Sequence, residues 1–73
     1  MRLIDLLNVI DKDEEVEIFL HGETNSKIYD IDSVRGAINQ LKAVHDCIVI
    51  GVESYPGWYE GSYISIDIKE EGF

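Results

Sequence analysis

Tyr63-Ile64-Ser65-Ile66-Asp67-Ile68-Lys69 carries the clearest structural signal in the chain. Isoleucine falls at every second position, and the intervening residues are polar or amphipathic. Side chains on a strand alternate between faces, so this period of two predicts a strand over 63–69 with one apolar and one wet face. Such a strand needs a hydrophobic layer on one side only. The remaining segments supply it.

Before it, Ser54 to Gly61 reads as a loop built on Pro56, Gly57 and Gly61. Cys47 to Glu53 is rich in β-branched residues and reads as a buried strand, with Ile48, Ile50 and Val52 on one face. Val34, Ala37, Ile38, Leu41 and Val44 form an apolar stripe at helical spacing, which predicts a helix over 33–44 capped by Asp32 or Ser33. Gly36 inside it costs about 1 kcal/mol relative to Ala, and its lack of a side chain permits a close approach to the sheet. Residues 15–21 alternate, with Val16, Ile18 and Leu20 on one face and Glu15, Glu17, Phe19 and His21 on the other. A turn over His21–Ser26 and a returning strand over Lys27–Ile31 complete a hairpin, with Tyr29 and Ile31 toward the core. Leu3, Ile4, Leu6, Leu7 and Ile10 predict a short amphipathic helix over 2–10, ended by the acidic turn Asp11-Lys12-Asp13-Glu14.

The predicted order is α-β-β-α-β-β. One domain over residues 1–73 fits it: an α+β, two-layer fold with a four-stranded, mainly antiparallel sheet and both helices on one face. Strand order is left open.

Composition narrows the function. The chain has 73 residues, 15 Asp+Glu against 6 Lys+Arg, and a net charge of -9. That length is too short for a two-domain cofactor enzyme. An apolar content of 45% excludes a disordered acidic tail. The charge repels phosphate, so direct nucleic-acid binding is not expected. One Cys makes no internal disulfide, and no apolar run approaches the ~20 residues of a membrane span. A cytoplasmic protein with a reduced thiol is expected.

Searches for chemistry return little. His45-Asp46-Cys47 sets ligand-type residues side by side but lacks two further ligands, and a Cys opening a buried strand is ordinarily a small apolar filler. Asp11 to Glu15 resembles the start of a calcium loop, but Val16 stands where Gly is needed and Gly22 where Glu is needed. A solvated acidic turn is the expected reading. Gly57-Trp58-Tyr59-Glu60-Gly61 lacks the Lys of a phosphate loop and precedes a strand. No nucleophile stands in a recognisable pairing. The expectation is no catalytic residue, no cofactor, no metal and no enzyme.

Two features remain. Four of the seven aromatic residues fall within 55–63. Tyr55 and Tyr59 are expected to be exposed there, while Trp58 either covers the edge of a small core or anchors a partner. The second feature is the wet sheet face, from which Glu15, Glu17, Asp30 and Asp67 should project, with Asp11, Asp13, Glu14 and Glu53 near the strand ends. Same-face residues on a strand lie ~6.6 Å apart, an interval comparable to that between neighbouring phosphates. An acidic surface also simply keeps a small protein soluble.

The opening Met1-Arg2-Leu3-Ile4-Asp5-Leu6-Leu7-Asn8-Val9-Ile10-Asp11-Lys12-Asp13 and the strand Glu15–Leu20 resemble small acidic proteins of phages and mobile elements of Gram-positive bacteria, acidic anti-CRISPR inhibitors among them. The resemblance spans about the first 22 positions. It implies a viral inhibitor acting in the host cytoplasm as a DNA mimic, its carboxylates filling the basic nucleic-acid groove of a CRISPR or other defence protein. The function expected is therefore a non-enzymatic protein-binding inhibitor, with Glu15, Glu17, Asp30 and Asp67 as the acidic face and Tyr55, Trp58 and Tyr59 as anchors. The alternatives are an assembly module that homodimerises through a sheet edge or the aromatic loop, and a small-ligand binder with that loop as a lid.

Overall fold

A computed structural model describes residues 1–22, 26–56 and 62–70, with the backbone alone at positions 55, 56 and 62. The chain runs α1 (Leu3–Val9), β1 (Glu15–His21), β2 (Ser26–Ile31), α2 (Val34–Gln40), a 3-10 turn (Lys42–Val44), β3 (Ile48–Pro56) and β4 (Ser62–Lys69). The strand order is β2-β1-β4-β3. Each sequence-adjacent pair is an antiparallel hairpin. The hairpins join at the centre, where β1 and β4 run parallel from Glu15 opposite Tyr63 to His21 opposite Lys69. The fold is thus the expected α+β class, with a four-stranded, mostly antiparallel mixed sheet.

The central strands carry the core. Val16 and Ile18 of β1 and Ile66 and Ile68 of β4 are fully buried against Leu3 and Leu7 of α1 and Val34 and Ala37 of α2. The alternation of both strands therefore points one face at both helices, and the other face stays open. None of the described helices is long and apolar enough to cross a membrane.

Short helices need ends that hold. Ser33 caps α2, its Oγ accepting the Gly36 N–H at 3.0 Å. A Cβ on Gly36 would lie 3.2 Å from the Ile31 Cγ2, so this glycine does permit close packing on β2. Arg2 precedes α1, and the Asp5 carboxylate accepts the Arg2 backbone N–H at 3.3 Å. At the other end of α1, the Lys12 ammonium donates to the carbonyls of Leu7, Asn8 and Ile10 at 2.9 to 3.2 Å. Those carbonyls have no partner inside the helix, and a cation there also opposes the negative end of its dipole.

Two expectations are corrected. The helix predicted over 33–44 stops at Gln40, and a tighter 3-10 turn follows. The turn keeps both Leu41 and Val44 buried while bringing the chain round to β3. The acidic turn is exposed at Asp11 and Asp13, as expected, and its backbone is tied to the start of α2: Lys12 and Glu14 carbonyls accept the N–H groups of Arg35 and Val34 at 3.0 and 2.8 Å. The second correction is β3. Ile48, Ile50 and Val52 do not share a buried face, because a bulge shifts the register between Val49 and Gly51. One extra residue reverses the alternation. Ile48 pairs with Lys69 on the open face, whereas Val49 and Val52 pair with the core-facing Ile68 and Ile66. Ile50 and Val52 are each 50% exposed, whereas α2 packs on β1 and β2, away from this outer strand.

Candidate functional site: the open face of the sheet

The registers place every residue of the open face. One row crosses the sheet as Asp30, Glu17, Ser65 and Glu53. The next, toward the start of β1, holds Glu15 and Tyr63, with the Tyr55 backbone paired opposite Tyr63. On the other side of the first row lie Ile28, Phe19, Asp67 and Gly51, then Ser26, His21, Lys69 and Ile48. Alternation along four strands thus builds a face with two unlike halves.

The acidic half gathers Glu15, Glu17, Asp30 and Glu53, of which all but Glu17 are largely exposed. Glu17 and Asp30 stand directly opposite each other across β1 and β2. Neighbouring strands lie about 4.8 Å apart, so the row places like charges as near as a sheet allows. Directly opposed like charges destabilise a strand pair. The buried Ser65 between Glu17 and Glu53 adds no countercharge.

The other half is mixed. The Asp67 carboxylate lies on the open face as expected, but its Oδ1 is 2.8 Å from the His21 Nε2. Its Oδ2 lies over Gly51, where a Cβ would approach to 3.3 Å. The missing side chain at Gly51 leaves room for Asp67. With Lys69 beside His21 in the register, this half carries an ammonium, an imidazole and the apolar Phe19 and Ile28. Ile28 is 64% exposed.

The four acids predicted for this face are therefore all on it, but they do not act as one. Glu15, Glu17 and Asp30 form a group with Glu53, and Asp67 belongs with His21. Asp11, Asp13 and Glu14 sit in the joint between the helices, where Asp11 Oδ1 accepts the Asp13 N–H at 2.9 Å and Asp13 lies 3.4 Å from Arg35. Tyr55, expected in a loop, has its backbone in β3 opposite Tyr63. Trp58 and Tyr59 lie outside the described residues.

Cys47 is free and buried, part of the core cluster. Burial, with the Glu70 and Asp46 carboxylates nearby, pushes its thiol above the usual range. Such a thiol is inert rather than nucleophilic. Among the described residues no group of three or more His, Cys, Asp or Glu side chains is arranged to hold a metal ion. No family model, curated protein or solved structure matches the chain.

Proposed function

We propose that this chain is a non-enzymatic binding protein that sets the acidic half of its open sheet face against the basic, nucleic-acid-binding groove of a partner protein, inhibiting that partner as a DNA mimic in the cytoplasm. One observation carries the reading: Glu15, Glu17, Asp30 and Glu53 converge on one exposed patch, with Glu17 and Asp30 opposed in register. A surface arranged for stability alone separates like charges. A rigid acidic patch on a sheet steers association with a basic groove and excludes nucleic acid from it.

The test is inhibition of DNA cleavage by a panel of nucleases, guide-loaded CRISPR effectors included. A nuclease that the chain inhibits in competition with DNA should be bound more weakly as salt rises from about 0.05 to about 0.3 M, because screening weakens exposed charge pairs. The double variant Glu17→Lys, Asp30→Lys should lose at least about tenfold in affinity, some 1.4 kcal/mol. Binding that ignores both salt and the double variant would overturn the acidic-face reading. The half-exposed Ile50 and Val52 favour a second reading, an assembly module pairing edge to edge with its own copy. A tight dimer in sedimentation would select it.

A further inference from the structure

The two edges of the sheet differ. On β2, Lys27 pairs with Leu20 and so lies on the helix side. An inward-pointing charge of this kind blunts an edge against further strands. On β3, the helix side instead offers Val52, half exposed, and the bulge offers the half-exposed Ile50.

The beginning of the β3 edge is already paired. Met1–Leu3 lies antiparallel to it, with Arg2 opposite Ile48. The Leu3 N–H donates to the Cys47 carbonyl and the Val49 N–H to the Met1 carbonyl, both at 2.9 Å. The side chains of this short strand divide cleanly. Leu3 is buried in the core. Arg2, by its register with Ile48, is on the open-face side, where its Nη1 donates to the Asp46 carbonyl at 2.8 Å and lies 4.0 Å from the Asp46 carboxylate. The segment that occupies this edge thus reads apolar, basic, apolar, and its base meets an acid. Beyond Val49 no strand lies outside β3 among the described residues. The same division of sides continues there: Val52 toward the helices, the exposed Glu53 on the open face.

We propose that the outer edge of β3 from Ile50 to Pro56 receives a basic extended segment of a partner protein, with apolar residues alternating with Lys or Arg, as an antiparallel fifth strand. Main-chain bonds hold such a strand, and alternate side chains select it. Its apolar residues cover Val52 and its basic residues meet Glu53. Charge favours a basic partner over a second copy as occupant, since self-pairing sets one net charge of -9 against another. This surface shares Glu53 with the acidic patch but not Glu15, Glu17 or Asp30.

The probe is a capped decapeptide of alternating Val and Lys, added to the full chain and followed by backbone amide spectra and hydrogen exchange. Amides of residues 50–55 should gain about tenfold or more in protection. Val52→Lys should abolish that gain, and Glu53→Lys should weaken it. Both positions are exposed enough for the variants to fold, which circular dichroism would confirm. N-methylation of alternate peptide residues should prevent binding, and Glu17→Lys should leave it unchanged. Shifts confined to Glu15, Glu17 and Asp30, with β3 unprotected, would overturn the proposal. So would protection of β3 that grows with protein concentration in the absence of peptide, which would assign the edge to a second copy. The nuclease reading is tested on the Glu17→Lys, Asp30→Lys variant, which leaves the β3 edge intact, so the two readings fail separately.

Discussion

Lys12 shows how much one side chain can carry in so small a protein. In the sequence it is a lone base among acids; in the structure it closes the C-terminus of α1 through three carbonyls. Lys12→Met keeps the aliphatic stem and removes the donors. It should lower stability by about 1–2 kcal/mol, the combined size of a charged hydrogen bond and a dipole interaction. A urea midpoint within error of wild type would mean that water satisfies those carbonyls equally well. Cys47 supports a prediction of a different kind. Its thiol is held above the usual range in the folded state, chiefly by burial. Between the ordinary thiol value and that raised one, the unfolded chain releases a proton that the folded chain keeps. Stability should therefore be complete below about pH 8.5 and decline as pH rises above it. Cys47→Ala should abolish this component of the alkaline slope in urea titrations, whatever it does to the midpoint at neutral pH.

At the level of elements, legibility followed the strength of the period. β4 alternates without a break and β1 with only Phe19 out of pattern, so their faces and nearly all their bounds were readable. β3 was not, because Ile48-Val49-Ile50-Gly51-Val52 is apolar at every side-chain-bearing position and conceals which side is buried. Gly51 within that run was the one available sign of a bulge. The end of α2 was also hidden: Leu41 and Val44 keep their burial whether the backbone is α or 3-10. Strand order depends on which hairpin edges meet, and no local pattern encodes that. Gly36 illustrates the reverse case, a sequence signal whose meaning depends on packing. Helix propensity alone predicts a gain of about 1 kcal/mol for Gly36→Ala. The new Cβ would, however, stand 3.2 Å from Ile31 and 3.3 Å from the capping Ser33 hydroxyl. Crowding at both should erase the gain, leaving the unfolding midpoint unchanged or lower. A midpoint raised by the full increment would show that β2 yields to the helix at no cost.

Across the whole molecule, eight of the fifteen acids behind the net charge of -9 fall into three populations. One is structural, in the joint of Asp11, Asp13 and Glu14. Another is hydrogen-bonded, in Asp67 with His21. The third is the group of Glu15, Glu17, Asp30 and Glu53. Alternation made Glu15, Glu17 and Asp30 readable as members of one face, but the pairing of Asp67 with a histidine 46 positions away was not. Only the third population sets like charges in register, and this makes a stability measurement informative about function. Glu17→Lys turns an opposed acid pair into an opposed salt bridge with Asp30 and moves the net charge by two, from -9 to -7. If the patch is held together at the expense of folding, the variant should be more stable than the natural sequence by about 0.2–1 kcal/mol. The gain should be larger at low salt than at high salt, since exposed charges are screened. The same substitution should weaken binding to a basic groove. A variant that is less stable than wild type at low salt would show that Glu17 is already compensated in the folded chain, and the acidic patch would lose the tension that distinguishes it from an ordinary solvated surface.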